Sequence, residues 1–259
     1  MPAINPTQLE KQITAALSVK ADPPLCVRKL YEILEFYADR TRRSVKAADM
    51  LILGKVLRVP QPVLQAITRS IQTELDYSDG LRLKTSLMLW DMNYRETRMV
   101  AVSLLSGVDP ALVMENFENW AADCDDEEVL HWMAAEGLKL SNRPLEDIPW
   151  KGLNAWLRHP APTVQHLALI SLLELVQGSA RDEHFPRVFR LLRAVPGNMS
   201  KTSLVALQDL LWALADRSPQ ESAQYLLDEF KRDQDVRNLI EKTLGAFPQA
   251  LQEELRQVL

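Results

Sequence analysis

Apolar residues recur along this chain every three or four positions. Leu25, Leu30, Ile33, Leu34 and Tyr37 form one such set, Val63, Leu64, Ile67, Ile71 and Leu75 a second, and Val100, Leu104 and Leu105 a third. That spacing places each set on one face of an α-helix, and no comparable stretch alternates with the period of two that a half-buried strand requires. The nearest approach to a strand, residues 50–57 (Met-Leu-Ile-Leu-Gly-Lys-Val-Leu), lies between helical patterns without a partner segment, so it reads as a short buried helix.

Punctuation separates the periodic stretches at intervals of about 15 to 20 residues. Pro60-Gln61-Pro62, Ser78-Asp79-Gly80, Gly107-Val108-Asp109-Pro110, Ser141-Asn142-Arg143-Pro144, His159-Pro160-Ala161-Pro162, Pro196-Gly197-Asn198 and Arg217-Ser218-Pro219 each combine a helix stop with an N-cap residue or a first-turn proline. The helices between them are three or four turns long, too short to persist alone in water, so each must hide its apolar face against neighbours. The expected fold is all-α: a HEAT-like solenoid in which antiparallel helix pairs stack as a curved array. No long Gly/Ser linker interrupts the 259 residues, and a single domain over 1–259 is expected.

Composition sharpens this picture. Eight glycines are few for an α/β protein with its many tight turns, whereas fifteen prolines suit helices that start on proline. The two cysteines, Cys26 and Cys124, are far apart and suggest neither a disulfide framework nor a zinc site; a reducing cytoplasm fits. The start, Met1-Pro2-Ala3-Ile4-Asn5-Pro6, has no signal-peptide pattern, and the longest apolar stretch, Leu167 to Val176, is broken by Glu174, so a cytoplasmic monomer with no membrane partner is expected.

The catalytic inventory is thin. Glycine-rich nucleotide loops, the nucleophile elbow and the H-E-x-x-H motif are all missing, and no cofactor or metal is expected. Glu128 and His131 form an E-x-x-H on one helix face, but a di-iron site needs a second copy and the sequence has none. Asp125-Asp126-Glu127-Glu128 is best read as helix initiation, since carboxylates complement the positive end of the helix dipole. Of the six tryptophans, Trp90 looks buried, while Trp120 and Trp156 lie near helix ends and are expected to be half exposed, where they could touch a ligand.

Charge points to a partner. The formal net charge is -5, yet residues 1–110 carry 15 basic against 12 acidic side chains, and residues 111–190 carry 7 against 13. Arg42, Arg43 and Lys46 form the densest basic run, and Arg95 and Arg98 a second pair at i,i+3. Phosphate contact and a solvated helix face are the two readings of these groups, and duplex DNA or a protein is the expected partner.

Residues 50–54 (Met-Leu-Ile-Leu-Gly), followed by Arg58-Val59-Pro60 and a helix, and then residues 89–102 (Leu-Trp-Asp-Met-Asn-Tyr-Arg-Glu-Thr-Arg-Met-Val-Ala-Val), resemble the AlkD-like family of DNA-alkylation-repair glycosylases. The likeness is strongest over residues 45–110. It implies a HEAT-like solenoid that grips DNA and excises cationic alkylated purines. The chemistry it implies needs a carboxylate beside the sugar, aromatic faces for the positive base and a cation on the backbone. The family carboxylate ends a W-W-D-x-V-D tract, and the matching stretch here, residues 124–130, puts Leu130 at that aspartate and Asp126 at the key tryptophan. His166 falls at the family arginine, and Trp212 lies about one turn from the late aromatic. A relocated carboxylate would have to be Asp125 or Asp126. The resemblance therefore implies a relative without the reaction, binding DNA or a protein through its concave face, with an active glycosylase using relocated residues as the alternative.

Overall fold

The computed structural model describes residues 4–39, 55–74, 76–178, 182–193, 195, 199–232 and 236–258. Among them lie fourteen α-helices: α1 (Pro6–Leu17), α2 (Pro23–Tyr37), α3 (Gln61–Thr73), α4 (Asp79–Asp91), α5 (Arg95–Leu105), α6 (Pro110–Ala122), α7 (Glu127–Trp132), α8 (Trp150–Leu157), α9 (Pro162–Gly178), α10 (Phe185–Leu192), α11 (Lys201–Arg217), α12 (Pro219–Arg232), α13 (Arg237–Thr243) and α14 (Gln249–Arg256). The described residues contain no strand, only one isolated bridge between Lys55 and Tyr94. The all-α helical-repeat fold expected from the periodicity is the one observed.

The chain packs as two compact units, one of Met1–Phe117 with Asp123–Leu138, the other of Glu118–Ala122 with Lys139–Leu259. In the first unit α1 packs on α2 and α3, α2 on α4, α3 on α5, α4 on α5, and α5 on α7. Each helix thus meets its successor or the helix after that, the contact pattern of stacked helix pairs in two layers. Only three residues join α4 to α5, a connection so short that the chain must turn straight back. The second unit repeats the pattern: α9 packs on α8 and α11, α11 on α12 and α13, and α12 on α14.

Helix starts follow the local chemistry. Asn5, Asp22, Asp126 and Ser200 each accept a first-turn backbone N–H through the side chain, and α1, α2 and α3 carry proline at the first or second position. Leu30, Leu34, Ile67, Ile71, Leu89 and Leu104 are fully buried and fill the first core; Leu153, Leu167, Val188, Leu210 and Leu226 do the same in the second.

Two expectations are corrected. Residues 50–54 lie outside the described residues, but Lys55, Val56 and Leu57 are not helical: Lys55 bridges to Tyr94 and the Leu57 N–H is taken by Glu96 at the start of α5. The break at Ser141–Pro144 does not launch an α-helix. Two 3-10 turns, Leu140–Asn142 and Leu145–Asp147, occupy it, and the next α-helix waits until Trp150. Gly178 of α9 explains the tight first turn: a Cβ there would strike the side chain of Ser141.

Helix α7 continues into a π-helical stretch, Met133–Leu138. Gly137 sits in it against the ring of Phe117, with no room for a side chain. Behind it the Trp132 indole N–H donates to Ser103 Oγ (3.1 Å), which also pairs with Thr68 Oγ1 (2.9 Å).

Candidate nucleic-acid interface

The segment 55–59 is held from a distance. Glu96, in the first turn of α5 and only 2% exposed, accepts three successive backbone N–H groups, from Leu57 (2.9 Å), Arg58 (2.6 Å) and Val59 (3.3 Å). A carboxylate facing a run of N–H donors is among the stronger polar contacts a protein makes. The clamp holds Arg58 at φ 59°, in the left-handed region that costs a non-glycine residue about 1–2 kcal/mol. Asn93, at the turn between α4 and α5, has the same φ, and the Arg95 N–H donates to the Lys55 carbonyl (2.8 Å), completing the junction.

This junction presents cations and aromatic faces together. The Lys55 ammonium lies 5.4 Å from the Tyr94 ring centre, and Tyr94 in turn lies 5.8 Å from Tyr31 of α2. Lys55 is exposed, and Tyr31, Arg58 and Tyr94 are half-buried. The two rings are tilted by 45°, and cationic side chains beside aromatic rings suit a nucleic-acid backbone and its bases.

The arginine pair singled out in the sequence is engaged internally. Arg95 donates through Nε to Asp126 (2.7 Å), and its Nη1 lies 2.8 Å from Glu128. Burial alone would lower the Arg95 guanidinium, but the bond and charge of Asp126 together with the charges of Glu128 and Glu96 outweigh it and hold the group above its ordinary value. Arg98 stacks on Trp90 at 4.5 Å and points one nitrogen at Cys124 Sγ (3.8 Å). Arg42, Arg43 and Lys46 lie outside the described residues.

The two acidic candidates separate. Asp126 caps α7, its Oδ1 accepting the N–H groups of Glu128 (3.1 Å) and Val129 (3.4 Å) while Oδ2 takes Arg95. Asp125, beside it, is exposed. Leu130 is buried in the core, as is His166 on α9. The acidic run is thus the helix start that its dipole complementarity suggested. Of the E-x-x-H residues, Glu128 turns to Arg95, and His131 instead lies 3.9 Å from Glu127, one turn away.

The expected exposure of two tryptophans is corrected. Trp120 and Trp156 are buried, at 6% and 1% exposure, and the Trp156 indole donates to Glu118 (3.0 Å), a residue that His159 also approaches (3.6 Å). The tryptophan most open to solvent is Trp212 on α11, 43% exposed, whose indole N–H donates to the Lys242 carbonyl (3.2 Å). Trp90 is buried as expected.

A family model described as DNA alkylation repair enzyme matches residues 34–237, more than three quarters of the chain. The chain belongs to this family. No curated protein and no solved structure matches it. Of the residues that carry the resemblance to the DNA alkylation repair enzymes, 55–60 and 89–102 build the two sides of the Lys55–Tyr94 junction. Sequence reasoning did not single out Tyr31, Lys55, Arg58, Tyr94 and Glu96 as members of one junction. Tyr94 and Glu96 stood inside the quoted motif, but nothing local shows that Glu96 binds a backbone 37 to 39 residues away. No described helix is long and apolar enough to cross a membrane.

Proposed function

We propose that this member of the DNA alkylation repair enzyme family binds duplex DNA without excising bases. The observation that carries the reading is the state of the carboxylates. Departure of a base leaves positive character on the sugar, which a preorganised carboxylate must stabilise; losing one such group costs on the order of a hundredfold or more in rate. Leu130, at the position where the resemblance puts that carboxylate, is apolar and buried. Both oxygens of Asp126 are committed to the α7 cap and to Arg95. Binding is supported by family membership and by the junction of Lys55 and Arg58 with Tyr31 and Tyr94, which continues in sequence from the basic run of Arg42, Arg43 and Lys46.

The test has two arms. Duplex DNA carrying N7-methylguanine and N3-methyladenine is incubated with the protein, and released base is quantified; release at the spontaneous rate is expected. Excision well above it, abolished by Asp125→Asn or Asp126→Asn, would make the chain a glycosylase with a relocated carboxylate. In a mobility-shift titration at low salt, binding of undamaged duplex is expected, and no retardation at micromolar protein defeats the DNA reading. A protein-binding scaffold is the second reading, favoured by the acidic middle of the chain and by Leu204, Val205 and Trp212, all exposed on α11.

A further inference from the structure

The second unit contains a cavity of about 480 Å³ where α10 faces the junction of α11 and α12. Phe185 and Phe189, one helical turn apart on α10, form one apolar wall, and Pro219, the first residue of α12, contributes to the other. The Phe189 ring is backed by Tyr225 of α12 at 5.8 Å. Two carboxylates stand at the rim. Asp182 is 67% exposed at its side chain, and Glu221 is solvent-exposed and accepts the Ser218 hydroxyl (2.7 Å). That hydroxyl bond holds the Glu221 carboxyl below its ordinary value, so it is ionised at neutral pH.

Among the described residues one cation lines the cavity, and it is already employed. Arg217 donates to the Val176 carbonyl (2.8 Å) and to Asp182 (2.5 Å), and its guanidinium covers the Phe185 ring at 5.0 Å. The lining therefore offers a phosphate little, because two carboxylates face one guanidinium turned into the protein. It offers a cation with an apolar body a great deal. The volume falls in the range of small-ligand sites and suits one or two side chains rather than a helix.

We propose that this cavity is a docking site for an extended peptide segment of a partner protein, in which proline stands next to arginine or lysine. A proline ring is rigid and flat, loses little freedom on binding, and packs into slots walled by aromatic rings; segments rich in it are already extended before they dock. The neighbouring basic side chain then reaches Glu221 at the rim, since Asp182 is held by Arg217. Charge complementarity of this kind selects among partners more than it adds affinity, so the aromatic slot supplies the grip and the carboxylate the choice. This inference is independent of DNA binding, which involves the first unit.

Fluorescence anisotropy with the full-length protein tests it. The probe is a fluorescein-labelled peptide of repeated Pro-Pro-Arg, and the controls are repeated Pro-Pro-Glu and repeated Gly-Gly-Arg. Saturable binding of the first is expected, weaker by about threefold to tenfold in Glu221→Gln and in Phe189→Leu, a range set by the worth of one exposed ion pair or one ring contact. Phe189→Leu keeps the apolar bulk and Glu221 is exposed, so both variants fold; thermal melts check this. Glu241→Gln, an acidic change on α13, leaves binding unchanged if the site is the cavity. Equal binding of the Pro-Pro-Glu or Gly-Gly-Arg peptide overturns the proposal, as does undiminished binding by both cavity variants, or no saturation of the wild type at millimolar peptide.

Discussion

Glu96→Gln is the most informative single substitution in this protein. In the native protein one carboxylate satisfies three successive N–H groups at 2.6 to 3.3 Å. The amide keeps one acceptor oxygen and turns an NH2 group toward donors that need an acceptor. Hydrogen bonds to charged groups contribute about 1.5–3 kcal/mol each, and unsatisfied buried donors cost about 1–3 kcal/mol. Because Leu57 and Arg58 are half-buried and can take up water, the expected net loss is about 2–3 kcal/mol. Set against it is the left-handed Arg58, whose strain of about 1–2 kcal/mol is released when the segment lets go. The clamp therefore exceeds the strain by little, and its loss opens residues 55–59 locally before the unit unfolds. Amide exchange at Leu57, Arg58 and Val59, read by mass spectrometry, should quicken by about 30- to 150-fold. Arg58→Gly in the native background should slow it by about two- to fivefold, since glycine adopts this φ without strain but gives up about 0.5–1 kcal/mol more chain entropy when the turn is ordered. In the Glu96→Gln background the glycine gains nothing, because the turn is no longer held. Exchange in Glu96→Gln within threefold of wild type, or the same glycine effect in both backgrounds, refutes the account.

Other outcomes follow from the same structure. Arg82, 6% exposed, donates to the carbonyls of Tyr77 (2.9 Å), Glu74 (2.6 Å), Ile71 (3.4 Å) and Leu104 (3.4 Å), so Arg82→Met should cost about 3–5 kcal/mol in urea unfolding; a loss below 1 kcal/mol contradicts this. Gly137→Ala drives a methyl into the Phe117 ring and should destabilise by about 1–3 kcal/mol in the same assay. Burial pushes the Tyr77 phenol well above its ordinary value of 10.0 while it donates to Thr85 (2.6 Å); the folded state keeps that proton. Its stabilisation is complete below the ordinary value and lost as pH rises toward the higher folded one, so alkaline melting temperatures should fall less steeply in Tyr77→Phe. Lys55→Gln with Arg58→Asn should weaken duplex binding and reduce the salt slope by about two, one phosphate for each charge, and Arg42→Ala with Arg43→Ala and Lys46→Ala should flatten it further; unchanged slopes move the DNA site elsewhere.

The helix boundaries were legible because they rest on chemistry within one turn. A proline in the first turn or a side chain that accepts a first-turn N–H acts through neighbours three residues away, so the starts at Pro62, Pro110, Asp126 and Pro162 could be placed without knowing anything distant. Core faces were legible for the same reason: the period of the helix decides which residues share a side, and Leu30, Leu34, Ile67 and Ile71 are buried together. The candidate site was not. Whether Trp156 is open or closed depends on Glu118, a residue 38 positions away, and whether Arg95 offers its charge outward depends on Asp126, 31 positions on. The non-helical course of residues 55–59 is imposed by Glu96 against the helical preference of the neighbouring pattern. The sequence alone determined most helix starts and the faces those helices bury, but not the course of residues 55–57 and 141–149 or the burial of Trp120 and Trp156. Only the packed chain decided which charges cancel one another and which remain for a partner, because cancellation depends on distances that local periodicity does not contain.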